Sequence, residues 1–335
     1  MLSYLCALCA YVFQNYKQMK IIVLYGFAMN PGDLSWEGLN QLGDCQVYDR
    51  TNPTDLYNRI NDAAVVITNK AFLDGQIIDR LPNLRYIGVT ATGYNVVDVQ
   101  AASRKGIVVT NIPAYSTDSV AQLVFSHILN VANRVEMHCV SVRSGEWVNN
   151  PDFAYWKSPQ MELAGKTLGI VGFGRIGLKV AQIGLGLGMK VIFHNRSKIT
   201  DVPVGAIQLT QEEVFAQSDV VSINCPLTAE NAGFVNHQLL QTMKPSAMLV
   251  NTGRGGLVNE ADLATALNEG VIAAAGLDVL STEPPQADNP LLAAKNCFIT
   301  PHIAWATLEA RQRLMDLTVE NLQCFISGRA QNVVK

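Results

Sequence analysis

The 335-residue chain carries almost no excess of either charge, with 25 Lys and Arg against 28 Asp and Glu for a net charge of −3. No basic run and no alternation of basic with aromatic residues breaks that balance, so the footprint expected for nucleic acid or an anionic membrane is missing. Long apolar runs are missing too. The most apolar stretch near the start, "LSYLCALCAYVF", is too short to cross a bilayer as a helix and has no Lys or Arg ahead of it. Its neighbour "MKIIVLYG" at 19–26 reads as a chain start leading into a strand, so 1–18 is expected to be an N-terminal extension or a misassigned start, with an export signal as the alternative. Cysteine is present but unorganised. Seven are scattered, and the Cys6–Cys9 pair has no second pair or nearby His to complete a zinc site. Free buried thiols in a reducing cytoplasm are the expectation, with no metal and no membrane. Internal repeats and low-complexity tracts are also lacking. A small-molecule partner is what these absences leave.

Short β-branched runs alternate with helix-like segments from Lys20 onward. "IIVLY" (21–25), "AVVIT" (64–68), "LRYIGV" (84–89) and "GIVVTN" (106–111) are continuous apolar runs, as in parallel strands buried on both faces. Leu34–Leu42 and Asp55–Ala63 suit short crossover helices. A second series follows at 167–174, 190–195, 219–224, 247–251, 273–279 and 297–301. The fold class is therefore α/β, with two doubly wound, Rossmann-like parallel sheets. Helical patterns over Ser119–Arg143 and Leu308–Ser327 join the two series, the latter repeating apolar residues at Met315, Val319, Leu322 and Ile326. If the last helix returns to the first series, that domain is discontinuous. The expected domains are then 19–118 with 303–335, and 119–302, with an active-site cleft between them.

"GFGRIG" sets Gly172, Gly174 and Gly177 between an apolar strand and a helix-like segment. The first glycine permits the tight turn, the second lets the backbone approach a pyrophosphate, and the third lets helix pack on strand. With Arg175 and Ile176 this loop is the expected phosphate cradle of a dinucleotide. The plain alternative is a tight turn with no ligand.

Ligands of such sheets sit beyond the carboxyl ends of the strands. Three polar residues stand just past apolar runs: Arg254, Glu283 and His302. Arginine offers a planar fork matched to a carboxylate, although a surface salt bridge would also place one there. Histidine can give or take a proton near neutral pH, as hydride chemistry on a carbonyl requires. A carboxylate beside it would favour its protonated form, and Glu283 is the candidate, although "EPP" equally suits a solvated turn. His127 and His138 fall in a helical stretch and read as packing or surface residues.

Together "GVTATGYNVVD", "GFGRIG", "CPLTAEN", "AMLVNTGRGGLVNEADL", "GLDVLSTEPP" and "ITPHIAWAT" resemble the D-isomer-specific 2-hydroxyacid dehydrogenases over nearly all of the chain after Met19. The later stretches look most like the hydroxypyruvate reductase (glycerate dehydrogenase) and glyoxylate reductase branch. The resemblance implies hydride transfer between NAD(P) and C2 of a small 2-oxo or 2-hydroxy acid, with Arg254, Glu283 and His302 catalytic. It implies that Ala91, Thr92 and Gly93 meet the substrate carboxylate, together with Arg254 and His302. It further implies that Cys225, Pro226, Thr252 and Gly253 border the cofactor, that Asp278 orients the nicotinamide amide, and that the chain forms a homodimer. Trp305 reads equally as a pocket wall or as core. A cofactor-sensing binding protein of the corepressor type, built on the same scaffold, is the rival from another class, and a dehydrogenase for another 2-hydroxy acid such as D-lactate is the rival within the family.

One absence bears on the cofactor. At the end of the second strand of the dinucleotide unit, where an NAD protein carries Asp or Glu for the ribose 2′-hydroxyl, "VIFHNRS" carries Asn195 and Arg196. No acid is there to repel a 2′-phosphate, and Arg196 with Ser197 can pair with one. NADP(H) is favoured over NAD(H), against the alternative that Arg196 points to solvent and Asn195 bonds the ribose of NAD.

Overall fold

The apolar runs become the strands of two parallel sheets in the computed structural model, which describes residues 19–335. The apolar leader and the Cys6–Cys9 pair lie outside the described residues. The chain divides into two units, one running to Tyr115 and resuming at Ala306–Lys335, the other spanning Ser116–Trp305. The joins fall slightly before and slightly after the expected 118 and 302. The reason is local: Asp118 pairs with Lys179 of the second unit at 2.9 Å, and Asp278 accepts the amides of Ile303 and Ala304.

The first unit contains β1 (Lys20–Val23), β2 (Asp44–Val47), β3 (Val65–Thr68), β4 (Tyr86–Val89) and β5 (Val108–Thr110), in the order β2-β1-β3-β4-β5. All neighbours are parallel. Successive side chains go to opposite faces. Ile22, Val66 and Ile87 join Leu56 and Ile60 of the helix Pro53–Ile60 on one face. Ile21, Val23, Val65, Ile67 and Tyr86 meet Leu322 of the C-terminal helix Leu308–Ile326 on the other. Both faces are therefore covered, and each fully buried Val or Ile contributes about 1.5–3 kcal/mol relative to exposure.

The second unit contains β6 (Thr167–Val171), β7 (Lys190–His194), β8 (Ala206–Gln208), β9 (Val220–Ile223), β10 (Met248–Asn251), β11 (Ala274–Leu277) and β12 (Cys297–Ile299). Its order is β12-β11-β10-β9-β6-β7-β8, so the direction of winding reverses between β6 and β9. That is the Rossmann arrangement, and the reversal is where such sheets bind ligand.

Three expectations are corrected. β2 and β8 form no continuous apolar run and escape the sequence pattern, because each is an edge strand with a partly exposed face. The helix expected over 34–42 is only Glu37–Asn40. The single helix expected over 119–143 is two, Thr117–Asn133 and Val135–Arg143, broken where Arg134 takes φ +48. A left-handed residue ends a helix and lets its successor leave in a new direction.

Candidate active site

The glycine loop opens where β6 ends, and its glycines serve different ends. Gly172 has φ +92, and a Cβ on it would lie 2.6 Å from the amide nitrogen of Cys225. A Cβ on Gly177 would collide with the Gly172 carbonyl. Those two are required by the chain itself. Gly174 is not, since a Cβ there would meet nothing within 4 Å. It is the N-cap of the helix Arg175–Gly186 and offers no side chain to the amides of the first turn. An open surface over uncapped amides suits a phosphate.

Two more features mark the same place. The Asn224 Oδ1 and Thr252 Oγ1 atoms are buried with no hydrogen-bond partner among the described residues. Asn224 follows β9 and Thr252 follows β10, next to the switch point. Buried polar atoms are almost always paired, so these two call for a ligand. Together with the open Gly174 cradle, they fit a dinucleotide. Asn224 escapes the sequence reading, and only its place one residue past a strand could single it out. Cys225 follows it, half-buried, with its thiol pushed up by burial, and Pro226 beyond is exposed.

Asn195 does not reach outward alone. Its Oδ1 accepts the Phe173 amide at 3.1 Å, and its Nδ2 donates to the carbonyl and hydroxyl of Ser197, each at 3.1 Å. It thereby ties the glycine loop to the end of β7, while Arg196, Ser197 and Lys198 are exposed. The charge of Arg196 also reaches Glu230, whose carboxyl is held below its ordinary range by the Thr228 hydroxyl first and by Arg196 last.

Arg254, Glu283 and His302 follow β10, β11 and β12, three consecutive strands of the sheet. His302 Nδ1 and Glu283 Oε2 lie 2.6 Å apart. The solvated-turn reading of "EPP" therefore gives way to a paired carboxylate, whose Oε1 also accepts the Leu280 amide at 3.2 Å. The Arg254 guanidinium donates to its neighbour's carbonyl, Gly253 O, at 2.8 Å and meets no carboxylate among the described residues. Its loop is shaped by buried Asn251, which accepts from the Gly253 amide and donates to the Arg254 carbonyl. Gly255 lets that loop abut Leu280, since a Cβ there would overlap the Leu280 backbone.

Asp278 is surrounded by protein donors. It is 1% exposed. Oδ1 accepts from the Thr300 hydroxyl at 2.6 Å and the Ile303 amide at 2.9 Å, while Oδ2 accepts from the Ala304 amide at 2.8 Å. Its backbone carbonyl accepts from the His302 amide at 2.8 Å. These bonds bracket His302, which sits at φ +56, a conformation that costs a non-glycine residue about 1–2 kcal/mol. Asp278 spends its carboxylate on holding the histidine loop. Behind Thr300 stands His127, 4% exposed, with Nε2 at 3.3 Å from the Thr300 hydroxyl. Burial lowers its pKa, and the negative charge of Asp278 opposes that. The expectation of a packing role for His127 holds in part, with a polar contact added. Trp305, half-buried, closes the unit.

In the first unit, Ala91, Thr92 and Gly93 follow β4. The Ala91 carbonyl accepts from the Ile112 amide, and the Thr92 carbonyl accepts from Asn111 Nδ2 at 2.7 Å. The Thr92 hydroxyl donates to the Ile112 carbonyl. The amides of Thr92 and Gly93 donate to no backbone acceptor among the described residues. A loop with its acceptors used and its donors spare suits an anion.

Comparison with known proteins agrees with this chemistry. The family model described as "D-isomer specific 2-hydroxyacid dehydrogenase, NAD binding domain" matches residues 125–304. The chain is 48% identical over 320 residues to a hydroxypyruvate reductase of Blautia hydrogenotrophica, covering 94% of this chain and 99% of that one. It is 38% identical over 285 residues to a glycerate dehydrogenase of Methylorubrum extorquens, covering 84% and 89%. Among solved structures, the TT0316 protein of Thermus thermophilus superposes with a TM-score of 0.84 at 34% identity, covering 95% of this chain and all of that one.

Proposed function

Since the chain belongs to the D-isomer specific 2-hydroxyacid dehydrogenases, oxidoreductases that act on a CH–OH group with a nicotinamide cofactor, we propose that it reduces hydroxypyruvate to D-glycerate, with glyoxylate as a second substrate. The observation that carries this reading is the 2.6 Å contact between His302 Nδ1 and Glu283 Oε2. It occupies one ring nitrogen, so Nε2 is the one left to serve the substrate. The carboxylate on Nδ1 also fixes the orientation of the ring.

Bound reduced nicotinamide supplies the hydride for C2. His302 gives its Nε2 proton to the carbonyl oxygen as the alkoxide develops, a role worth about 10²–10⁴-fold in rate. Glu283 holds the ring through Nδ1 and offsets its positive charge. Arg254, with no carboxylate partner among the described residues, binds the substrate carboxylate and polarises the adjacent carbonyl. The spare amides of Thr92 and Gly93 make a second anion-binding element. Asp278 acts as a positioning residue for His302. The test is a steady-state panel of hydroxypyruvate, glyoxylate and pyruvate with NADPH and NADH. Consumption of neither cofactor with any of the three acids would end this reading.

NADP(H) is the cofactor favoured within it. Asn195 places no negative charge at the end of β7, and Arg196, Ser197 and Lys198 are exposed there. Asn195→Asp restores the acid, and its expected effect is a fall of about tenfold in kcat/KM for NADPH with NADH retained. A wild type that already prefers NADH strongly would refute the charge argument.

The assembly proposed is a homodimer formed through the second unit. Val135, Met137 and Val140 of the helix Val135–Arg143 are exposed, as are Trp147, Val148 and Phe153 beyond it. So much apolar surface on one segment marks an interaction face. Light scattering of Val140→Glu, expected to yield monomer, checks it. The cytoplasm is the compartment proposed. No helix among the described residues is long and apolar enough to cross a membrane, and the half-buried thiol of Cys297, pushed up to about 12 by desolvation, is unreactive.

A further inference from the structure

Only four side-chain oxygen atoms are buried without a partner among the described residues: Asn69 Oδ1, Ser158 Oγ, Asn224 Oδ1 and Thr252 Oγ1. Three of them share a position. Asn69 follows Thr68, the last residue of β3; Asn224 follows the last residue of β9; Thr252 follows the last residue of β10. Chance burial would not choose the residue just past a parallel strand three times. In doubly wound sheets that is where ligands bind. Asn224 and Thr252 are accounted for by the dinucleotide, but Asn69 stands in the other unit and is not.

Asn69 has a specific neighbourhood. The first sheet reverses its winding between β1 and β3, so β3 ends at the switch point of that unit. β4 is its neighbour on the other side, and the Thr90 amide donates to the Thr68 carbonyl at 2.9 Å. The loop with spare amides, Thr92 and Gly93, is thus carried by the strand adjacent to the one that carries Asn69. A spare pair of donors and an unmatched acceptor therefore lie on adjoining strand ends. Donors suit a carboxylate; an acceptor needs a hydroxyl or an amine.

We propose that Asn69 is a specificity-determining residue that accepts the hydrogen bond of a hydroxyl on C3 of the substrate, so that the site selects a 3-hydroxy-2-oxo acid over an unsubstituted one. This rests on the reductase reading above and names its substrate class. A site built to pair with a substrate hydroxyl discriminates against the analogue lacking it, because its own polar atom is then left buried and unpaired. Glyoxylate has no C3, and pyruvate offers a methyl group there. Neither can satisfy Oδ1.

The test compares Asn69→Ala with wild type, using hydroxypyruvate and glyoxylate as the probes. Wild type is expected to show a kcat/KM for hydroxypyruvate at least about tenfold above that for glyoxylate. In Asn69→Ala the hydroxypyruvate value should fall about tenfold, with glyoxylate within about threefold of wild type. The retained glyoxylate turnover also reports that the variant is folded. Should Asn69→Ala not fold, Asn69→Ser is read by the same ratio. A parallel loss with both acids, or no loss with either, overturns the proposal. A wild type that reduces neither acid sinks the reductase reading itself, a result separate from an unchanged ratio in an active enzyme.

Discussion

The two sheets share one construction and present different groups at their strand ends. Each is parallel, buried on both faces and doubly wound, and each carries polar residues past the carboxyl ends of its strands. In the second unit those residues present side chains, and the side chains are braced. Asp278 takes three donors around His302, Asn251 holds both ends of the Gly253–Arg254 turn, and Glu260 accepts from Ser281 and Asn289 beneath the Glu283 loop. In the first unit the loop after β4 offers backbone amides, with Asn69 as a lone acceptor beside it. The architecture supplies positions, and the loops decide which groups, side chains or backbone amides, stand there.

That contrast can be broken experimentally, beginning with its strongest member. His302→Ala is expected to lower kcat by about 10²–10⁴-fold with the melting temperature unchanged. An unaltered kcat would remove the proton donor from the account. Arg254→Ala should act mainly on the oxo acid, raising its KM by about 10–100-fold with cofactor affinity retained. Equal losses for cofactor and acid would show that the arginine shapes the loop and does not bind substrate. The two glycines separate folding from binding. Gly174→Ala should leave the melting temperature in place while weakening cofactor binding about tenfold in a fluorescence titration. Gly172→Ala should lower the melting temperature, because its φ of +92 and the nearby Cys225 amide leave no room for a Cβ.

The smallest effect concerns His127. Burial lowers its pKa from 6.5, so the unfolded chain takes up a proton that the folded chain refuses. Stability should therefore fall as pH drops below 6.5, with a slope of up to about 1.4 kcal/mol per pH unit, until the folded imidazole titrates as well. His127→Leu should flatten the fall in melting temperature below pH 6.5 relative to wild type. An unchanged slope would assign that acid sensitivity to another group.

Much of this architecture is legible in the amino-acid sequence. The central strands announce themselves because a strand covered on both faces must be apolar throughout, and "GFGRIG" carries its own geometric reason in three glycines. Arg254 and His302 stand out as polar residues just past such runs. What stays hidden depends on partners far away in sequence. β2 and β8 lie at sheet edges and need no continuous apolar run. Arg134 breaks a helix whose apolar spacing runs on through the break. The bonds of Asp278 reach across 22 to 26 positions, and His127 meets Thr300 across 173. No spacing rule connects them. Asn69 and Asn224 each stand one residue past a strand, but what sets them apart is an unpaired buried oxygen, a property of the fold.

The most direct test of the central claim is chiral analysis of the product formed from hydroxypyruvate and NADPH by the purified protein. The account predicts D-glycerate alone, formed in equal amount to the NADPH consumed. L-glycerate, a racemic product, or no consumption of NADPH or NADH would contradict it.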